Sequence, residues 1–434
     1  MNRVRLIDWL SGKHVWRYYQ EYIASQWYSP EEMQRMQLAK LKRLLMHCQM
    51  HVPFYREIIV KERIRVADID SLRVLDLFPV IDKTVIKGRY NDFVSASLAG
   101  LGSLRYSQTG GTTGEPLRFP KDAGMRSSAQ AAMMRFLDWM GVGIEEPKLL
   151  LWGAPIVDHG IGKRIRHAAL RFLTNTVQIN PFGITQSSVG SLTHLFKRYR
   201  PALVHGYCLA IYELARWFET EGLTFEVKAV STTVEPLFDE YRDVLRRVFH
   251  CEAFDQYGCG EAEAIAMECA SHNGLHVTEE RVLLELDDQH RVVVTDLDNL
   301  AFPFIRYRNG DQAIASERKC PCGRQAMLLK RILGRIGDTI CGPSGRRVHP
   351  EFFTHLINET GISYRTRLRR YQVIQENPDR LVWKLAAEPL RDTDRYWLIE
   401  EVRRYLGDVE VEIIQVDDIP ANKSGKFQYV IGWQ

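Results

Sequence analysis

No apolar stretch in this 434-residue chain reaches the roughly 20 residues that a membrane-crossing helix needs, because glycine, proline or charge interrupts each run first. Net charge is scarce as well: 58 Lys and Arg against 54 Asp and Glu leave +4, too small an imbalance to argue for nucleic acid as a partner. The opening residues MNRVRLIDWLSGKHVW lack the apolar core and small-residue cleavage site of a secretory leader, so the protein is expected in the cytoplasm. No internal repeat or low-complexity tract is visible. What is present is ordinary for a globular chain, 45% hydrophobic and 26% charged, which excludes disorder, and the length predicts two or three domains. Eight cysteines in a cytosolic chain, two of them in a tight Cys-Pro-Cys, point to thiolate or metal chemistry rather than to disulfides.

Residues 1 to about 95 read as amphipathic helices, with a Ser-Pro start at Ser29 and apolar residues three or four apart in the run that follows. From about 104 to 315 short β-branched or apolar runs (KLLLWG, PALVHGY, FEVKAVSTT, HRVVVTDL) alternate with helical stretches, which predicts an α/β domain with much parallel sheet. After Gly334 a glycine- and arginine-rich stretch gives way to separate strand and helix patterns, a small α+β domain.

The segment SQTGGTTGEP, Ser107 to Pro116, packs three glycines and four hydroxyl residues into ten positions. Backbone N–H groups in such a loop can wrap an anion, and hydroxyls add donors. It is neither a Walker loop, because no Gly-Lys-Ser/Thr follows, nor a dinucleotide Gly-x-Gly-x-x-Gly. The loop resembles the phosphate loop of the adenylate-forming superfamily, with Thr109, Gly110, Gly111, Thr112, Thr113, Gly114 and Pro116 in register. Two departures stand out: Gly110 replaces a frequent Ser, and Glu115 replaces a frequent Lys.

Five further segments follow in the order that this resemblance implies. STTVEPL, with Glu235 and Pro236, is similar to the lining of the adenine site. YGCGE resembles the motif in which Tyr257, followed by Gly258, stacks on adenine and Glu261 helps to hold Mg²⁺ on the phosphates, with Gly260 in place of the usual Thr. RYRNGD implies Asp311 as acceptor for both ribose hydroxyls, a task for an acceptor-only carboxylate. GRIGD and GRRVHP match the hinge, where Arg335 would contact the nucleotide. IPANKSGKFQ places Lys426 at the α-phosphate, with Lys423 as a nearby decoy. The short length, the helical start and the HGY, EPL and GRRVHP segments look most like the phenylacetate-CoA ligase branch and its capsule-gene relatives.

The resemblance implies a large N-terminal adenylation domain, 1–334, of mixed sheets and helices, and a small mobile α+β domain, 335–434. It implies ATP and Mg²⁺, attack of a carboxylate on the α-phosphorus assisted by Lys426, and a swivel near Arg335 to Asp338 that admits the acyl acceptor. Coenzyme A is the expected acceptor, with an amine or a carrier-protein thiol as alternatives, and a homodimer is compatible with the pattern. Trp152, His205, Tyr207 and Phe182 fit an aryl or arylacetic acid pocket, and fit ordinary core equally well. Cys269, Cys320 and Cys322 with one imidazole would make a closed Cys₃His set, the make-up of structural zinc. The imidazole is His272, at Cys-x₂-His spacing, or His276, which matches a Gly-Leu-His in similar zinc-bearing ligases and is favoured. Two rivals stand beside the ligase: a nucleotide-binding protein of polysaccharide assembly that has lost catalysis, motivated by Gly110, Glu115 and Gly260, and an ATP-independent acyl or glycosyl transferase, which leaves the loop unexplained.

Overall fold

The computed structural model describes residues 5, 8, 13–99, 104–108, 117–152, 174–180, 184, 186–335, 340–343, 347–348, 352–353, 356–357, 362, 366–420 and 428–433. Among the described residues the first long helices are α1 (Val15–Ser25), α2 (Pro30–His51) and α3 (Pro53–Lys61). The start of α2 is written locally. Ser29 accepts from the backbone N–H of Glu32, whose carboxylate accepts in return from the N–H of Ser29, and Pro30 opens the first turn.

A hairpin of β1 (Arg105–Gln108) and β2 (Arg118–Lys121) follows, then α4 (Ala123–Trp139), β3 (Lys148–Leu151) and β4 (Thr176–Ile179). Next come α5 (Val189–Tyr199), β5 (Leu203–Tyr207), α6 (Cys208–Thr220), β6 (Ala229–Thr233), α7 (Asp239–Phe249) and β7 (Ala253–Tyr257). Short antiparallel strands complete the large body: β8 (Ala266–Glu268), β9 (Leu275–Val277), β10 (Val282–Leu286), β11 (Arg291–Asp296), β12 (Tyr307–Ala315) and β13 (Leu328–Arg335). The eleven strands β3 to β13 form one sheet in the order β10-β11-β12-β13-β9-β8-β7-β6-β5-β3-β4. From β4 to β7 every pairing is parallel, and at β8 the direction turns antiparallel. Helical crossovers impose the first half, since parallel neighbours cannot be joined by a tight turn.

The N-terminal helices share a core with the antiparallel half. Leu41, Leu44, Tyr55, Phe78 and Phe93 cluster with Phe302, Phe304, Ile305 and Tyr307, all buried. Rings connect them: Phe54 stacks on Phe93 at 4.3 Å, Phe93 on Phe302 at 5.9 Å, and Phe304 meets Tyr307 at 5.0 Å. Burial of each such side chain contributes on the order of 1.5–3 kcal/mol, so these helices belong to the core of the sheet.

The chain divides into two compact units, Met1–Asn309 with Ala313–Ile332, and Gly310–Gln312 with Leu333–Gln434. The smaller unit holds β14 (Ile340–Cys341), β15 (Arg347–Val348), β16 (Arg370–Asn377), β17 (Arg380–Ala386), α8 (Asp392–Leu406), β18 (Glu410–Gln415) and β19 (Val430–Ile431). Four of its strands form a sheet in the order β18-β17-β16-β19 over a core centred on the fully buried Trp383. Among the described residues no helix is long and apolar enough to cross a membrane.

Candidate functional site

Parallel neighbours end at the same edge of a sheet, and that edge is where open α/β sheets place ligands. Register brings four sequence motifs to it. Leu151, the residue before Trp152, pairs with Gly206; Tyr207 pairs with Thr233, at the head of the Val234-Glu235-Pro236 turn; and Thr232 pairs with Asp255, two residues before Tyr257. The local backbone is written for close approach. A Cβ on Gly206 would stand 2.2 Å from the carbonyl oxygen of Leu151, so only glycine fits between β3 and β5.

Val234 holds φ at +80°, a left-handed value that a β-branched residue adopts only when its surroundings enforce it. The strain turns the chain sharply out of β6. It delivers the Glu235 carboxylate to within 3.4 Å of the Leu209 N–H, at the first turn of α6, where negative charge is favoured. The Cys208 thiol donates to the Pro236 carbonyl at 3.5 Å.

The turn from Tyr257 to Ala264 is gripped from several sides. A Cβ on Gly258 would meet the Ala264 nitrogen at 2.9 Å, which explains the glycine after Tyr257. Arg281, fully buried, donates to the carbonyls of Glu263 and Ala264, to Ser128 Oγ at 3.0 Å, and faces Asp296 at 3.5 Å. Lys121 pairs with the Glu263 carboxylate at 2.5 Å. From β12, the Tyr307 phenol donates to Glu261 Oε1 at 2.7 Å and the Asn309 carboxamide donates to the Tyr257 phenol oxygen at 2.7 Å. Glu261 is only 6% exposed and has no cationic partner among the described residues. A hard cation is what such a carboxylate lacks, so the residue fits a Mg²⁺ ligand. Asp311 stands on the same strand, buried, just beyond Gly310.

At the β3 and β5 ends, the Trp152 ring lies nearly parallel to His205 at 6.0 Å and edge-on to Tyr207 at 5.1 Å. His205 Nδ1 is 3.1 Å from both the carbonyl and the hydroxyl of Ser231. Burial pushes its pKa down to about 4, with the Ser231 carbonyl opposing, so the ring is neutral near pH 7. The described side chains at these strand ends are therefore aromatic and uncharged.

A separate cluster joins residues far apart in the chain. Cys269, His276, Cys320 and Cys322 present one donor atom each, all within 4.8 Å of one another. Cys269 Sγ is 3.6 Å from Cys320 Sγ, and Cys322 Sγ is 3.4 Å from His276 Nε2. Donors about 2.0–2.3 Å from a tetrahedral ion stand at such mutual separations, so three thiols and one imidazole fit a closed zinc site. His272 lies elsewhere: its Nδ1 is 3.3 Å from Glu268, whose carboxylate is held at both oxygens by Arg242. Arg324, just past Cys322, is layered between Trp27 at 4.7 Å and Trp139 at 4.3 Å, and so ties the cysteine loop to the N-terminal helices.

Thr109 to Gly114, Phe182, Lys423 and Lys426 lie outside the described residues. Arg335 ends β13. Sequence reasoning missed Tyr307 and Asn309, although both stand in the quoted RYRNGD segment at the two-residue spacing of a strand face. It also missed Arg281, for which an arginine in a polar stretch gives no signal.

Residues 340–432 match the CapK C-terminal domain family. Phenylacetate-coenzyme A ligase of Thermus thermophilus is 25% identical over 332 residues, 71% of this chain and 72% of the relative. Protein CapK of Staphylococcus aureus is 23% identical over 397 residues, 87% of this chain and 84% of its own length. Among solved structures, 2-hydroxyisobutyryl-CoA ligase in its postadenylation state superposes with a TM-score of 0.74 at 18% identity, covering 95% of this chain and 92% of that one.

Proposed function

We propose that this chain is an adenylate-forming ligase of the kind that its relatives phenylacetate-CoA ligase and CapK represent, and that it activates a carboxylic acid with ATP and passes the acyl group to coenzyme A. One observation carries the reading: the Tyr257–Glu261 turn, presented at the ligand edge of the parallel half, with a buried carboxylate that has no cationic partner among the described residues. In this reading Tyr257 stacks on adenine, Asp311 accepts from the ribose hydroxyls, and the loop of Thr109 to Gly114 wraps the phosphates through its N–H groups. Glu261 would hold Mg²⁺, which when bound supplies charge neutralisation on the phosphate oxygens. The acid carboxylate attacks the α-phosphorus, pyrophosphate leaves, and the thiol of coenzyme A then displaces AMP from the acyl carbon. Trp152, Tyr207 and the neutral His205 favour an uncharged, flat acyl group such as an aryl or arylacetic one. A reaction fed by ATP and coenzyme A belongs in the cytoplasm.

Pyrophosphate release from ATP across a panel of aryl, amino and fatty acids, each with and without coenzyme A, tests this. Release that depends on an aryl acid, with an acyl thioester formed when coenzyme A is present, is the expected result. ATP binding with no release for any acid would instead favour the noncatalytic rival, and acid-dependent release with no acyl-coenzyme A formed would favour an amine or carrier acceptor.

The Cys₃His cluster would hold zinc as a structural clamp, because a closed tetrahedron leaves no position for substrate. Elemental analysis is expected to return about one zinc per chain, and Cys320→Ser to abolish it and lower Tm. Native protein purified without metal, or a Cys320→Ser variant that melts at the native temperature, would remove zinc from the account.

A further inference from the structure

β12 meets the Tyr257–Glu261 turn through two polar side-chain contacts. Tyr307 already has its ring in the core, 2% exposed and 5.0 Å from Phe304, yet its hydroxyl is aimed at Glu261 Oε1. Asn309, two residues further along the strand, reaches the hydroxyl of the other nucleotide-facing residue, Tyr257. A single strand thus touches, through neighbouring positions, two of the side chains to which the ligase reading gives a nucleotide role.

We propose that Tyr307 and Asn309 are positioning residues: the Tyr307 phenol holds one oxygen of Glu261 so that the other is presented to the divalent cation on ATP, and the Asn309 carboxamide fixes the Tyr257 ring for the base. The inference rests on the ligase reading for the roles of Glu261 and Tyr257. Its physical content is directional. A phenol is a single donor at the end of a rigid ring, and donation to a carboxylate is among the stronger neutral-to-ion hydrogen bonds. Freed of it, Glu261 would rotate about its last torsion, a broad and shallow well, and lose its aim at the metal. Asn309 acts on a neutral hydroxyl, so its loss costs less and leaves the cation untouched.

Calorimetric titration of the full chain with ATP at several Mg²⁺ concentrations reads both contacts without requiring turnover. Tyr307→Phe keeps the ring on Phe304 and removes only the hydroxyl. It is expected to raise the Mg²⁺ concentration for half-maximal ATP binding by about tenfold or more, with excess Mg²⁺ restoring affinity. Asn309→Ala is expected to raise the Kd for ATP by roughly three- to tenfold at saturating Mg²⁺, with no change in Mg²⁺ dependence. A merely structural role would lower Tm and shift both dependences alike, and that pattern, or wild-type Mg²⁺ dependence in Tyr307→Phe, overturns the proposal. Should Tyr307→Phe fail to fold, the half-exposed Asn309 still decides it: unchanged Kd in Asn309→Ala refutes the clamp. The two readings separate cleanly. If the native chain binds MgATP but releases no pyrophosphate with any acid, the ligase reading falls while the clamp is judged on the Kd values. If it binds no MgATP, both fall.

Discussion

Lys426→Ala is expected to lower acid-dependent pyrophosphate release by roughly 10²–10³-fold, the usual consequence of removing a charge aimed at a developing oxyanion. The same variant, supplied with preformed acyl adenylate and coenzyme A, is expected to make thioester at close to the native rate. The asymmetry follows from the chemistry. Attack of a carboxylate on the α-phosphorus builds negative charge on phosphoryl oxygens, whereas attack of a thiol on the acyl carbon builds it on the acyl oxygen, with AMP as leaving group. A lysine devoted to the first step is idle in the second. Single-turnover assays of the two half reactions measure this directly, and an equal loss in both would show that Lys426 supports the fold or the nucleotide in general.

The second large effect concerns stability. Arg281→Met places an apolar chain of similar length where a guanidinium now serves the Glu263 and Ala264 carbonyls, Ser128 and Asp296. Removing one partner of a buried pair costs about 3–5 kcal/mol, because the remaining charge stays desolvated. Asp298 keeps Lys40 and Arg43 nearby, whereas Asp296 would be left with only the backbone N–H groups of Asp298 and Asn299. In the native protein burial already pushes the Asp296 pKa up to about 6, against the lowering pull of Arg281. Without that pull it rises further. A carboxyl whose folded pKa exceeds its unfolded value of about 3.9 binds its proton more tightly when folded, so its contribution is lost as pH rises. The deficit of Arg281→Met, read from urea denaturation, is therefore expected to be smaller at pH 5 than at pH 8. A pH-independent deficit would mean that the lost carbonyl contacts, and not the stranded carboxylate, dominate. ATP affinity should fall as well, since the turn that carries Glu261 loses its anchor.

The parts of this molecule that chemistry dictates were legible in the chain. A motif such as YGCGE is constrained at each position, by a ring, a tight approach and a carboxylate, and its order relative to RYRNGD and the C-terminal lysine carries more information than any one string. The alternation of strand and helix patterns likewise gave the mixed α/β class, because hydrophobic periodicity is a local property. Sheet order is not local. Nothing in LLKRILGR says that this strand lies between β12 and β9, a placement set by closure over long sequence distances. The choice between His272 and His276 was equally closed to spacing arguments, since both follow Cys269 within a few residues. Register settles where they sit: His276 pairs with Leu328 on β13, beside Cys320 and Cys322, while His272 turns toward Glu268. Arg281 was invisible for the opposite reason, since an arginine is ordinarily solvated and only the assembled core shows that this one is dry.

Two of the hydrophobic cores have different reach along the chain, and inheritance should reflect it. One runs from Leu41 to Leu329 and interleaves the opening helices with the strands that carry Tyr257 and Tyr307; the other is confined to residues 340–430. A genetic exchange near residue 335 would pass between these two cores, so the C-terminal piece is expected to travel between lineages as a unit. A crossover within the first hundred residues would instead pair helices of one ancestor with a sheet of another. Every ring contact from Phe54 to Tyr307 would then have to be rebuilt at once, which makes the opening helices, bare of any nucleotide motif, the segment least free to be replaced.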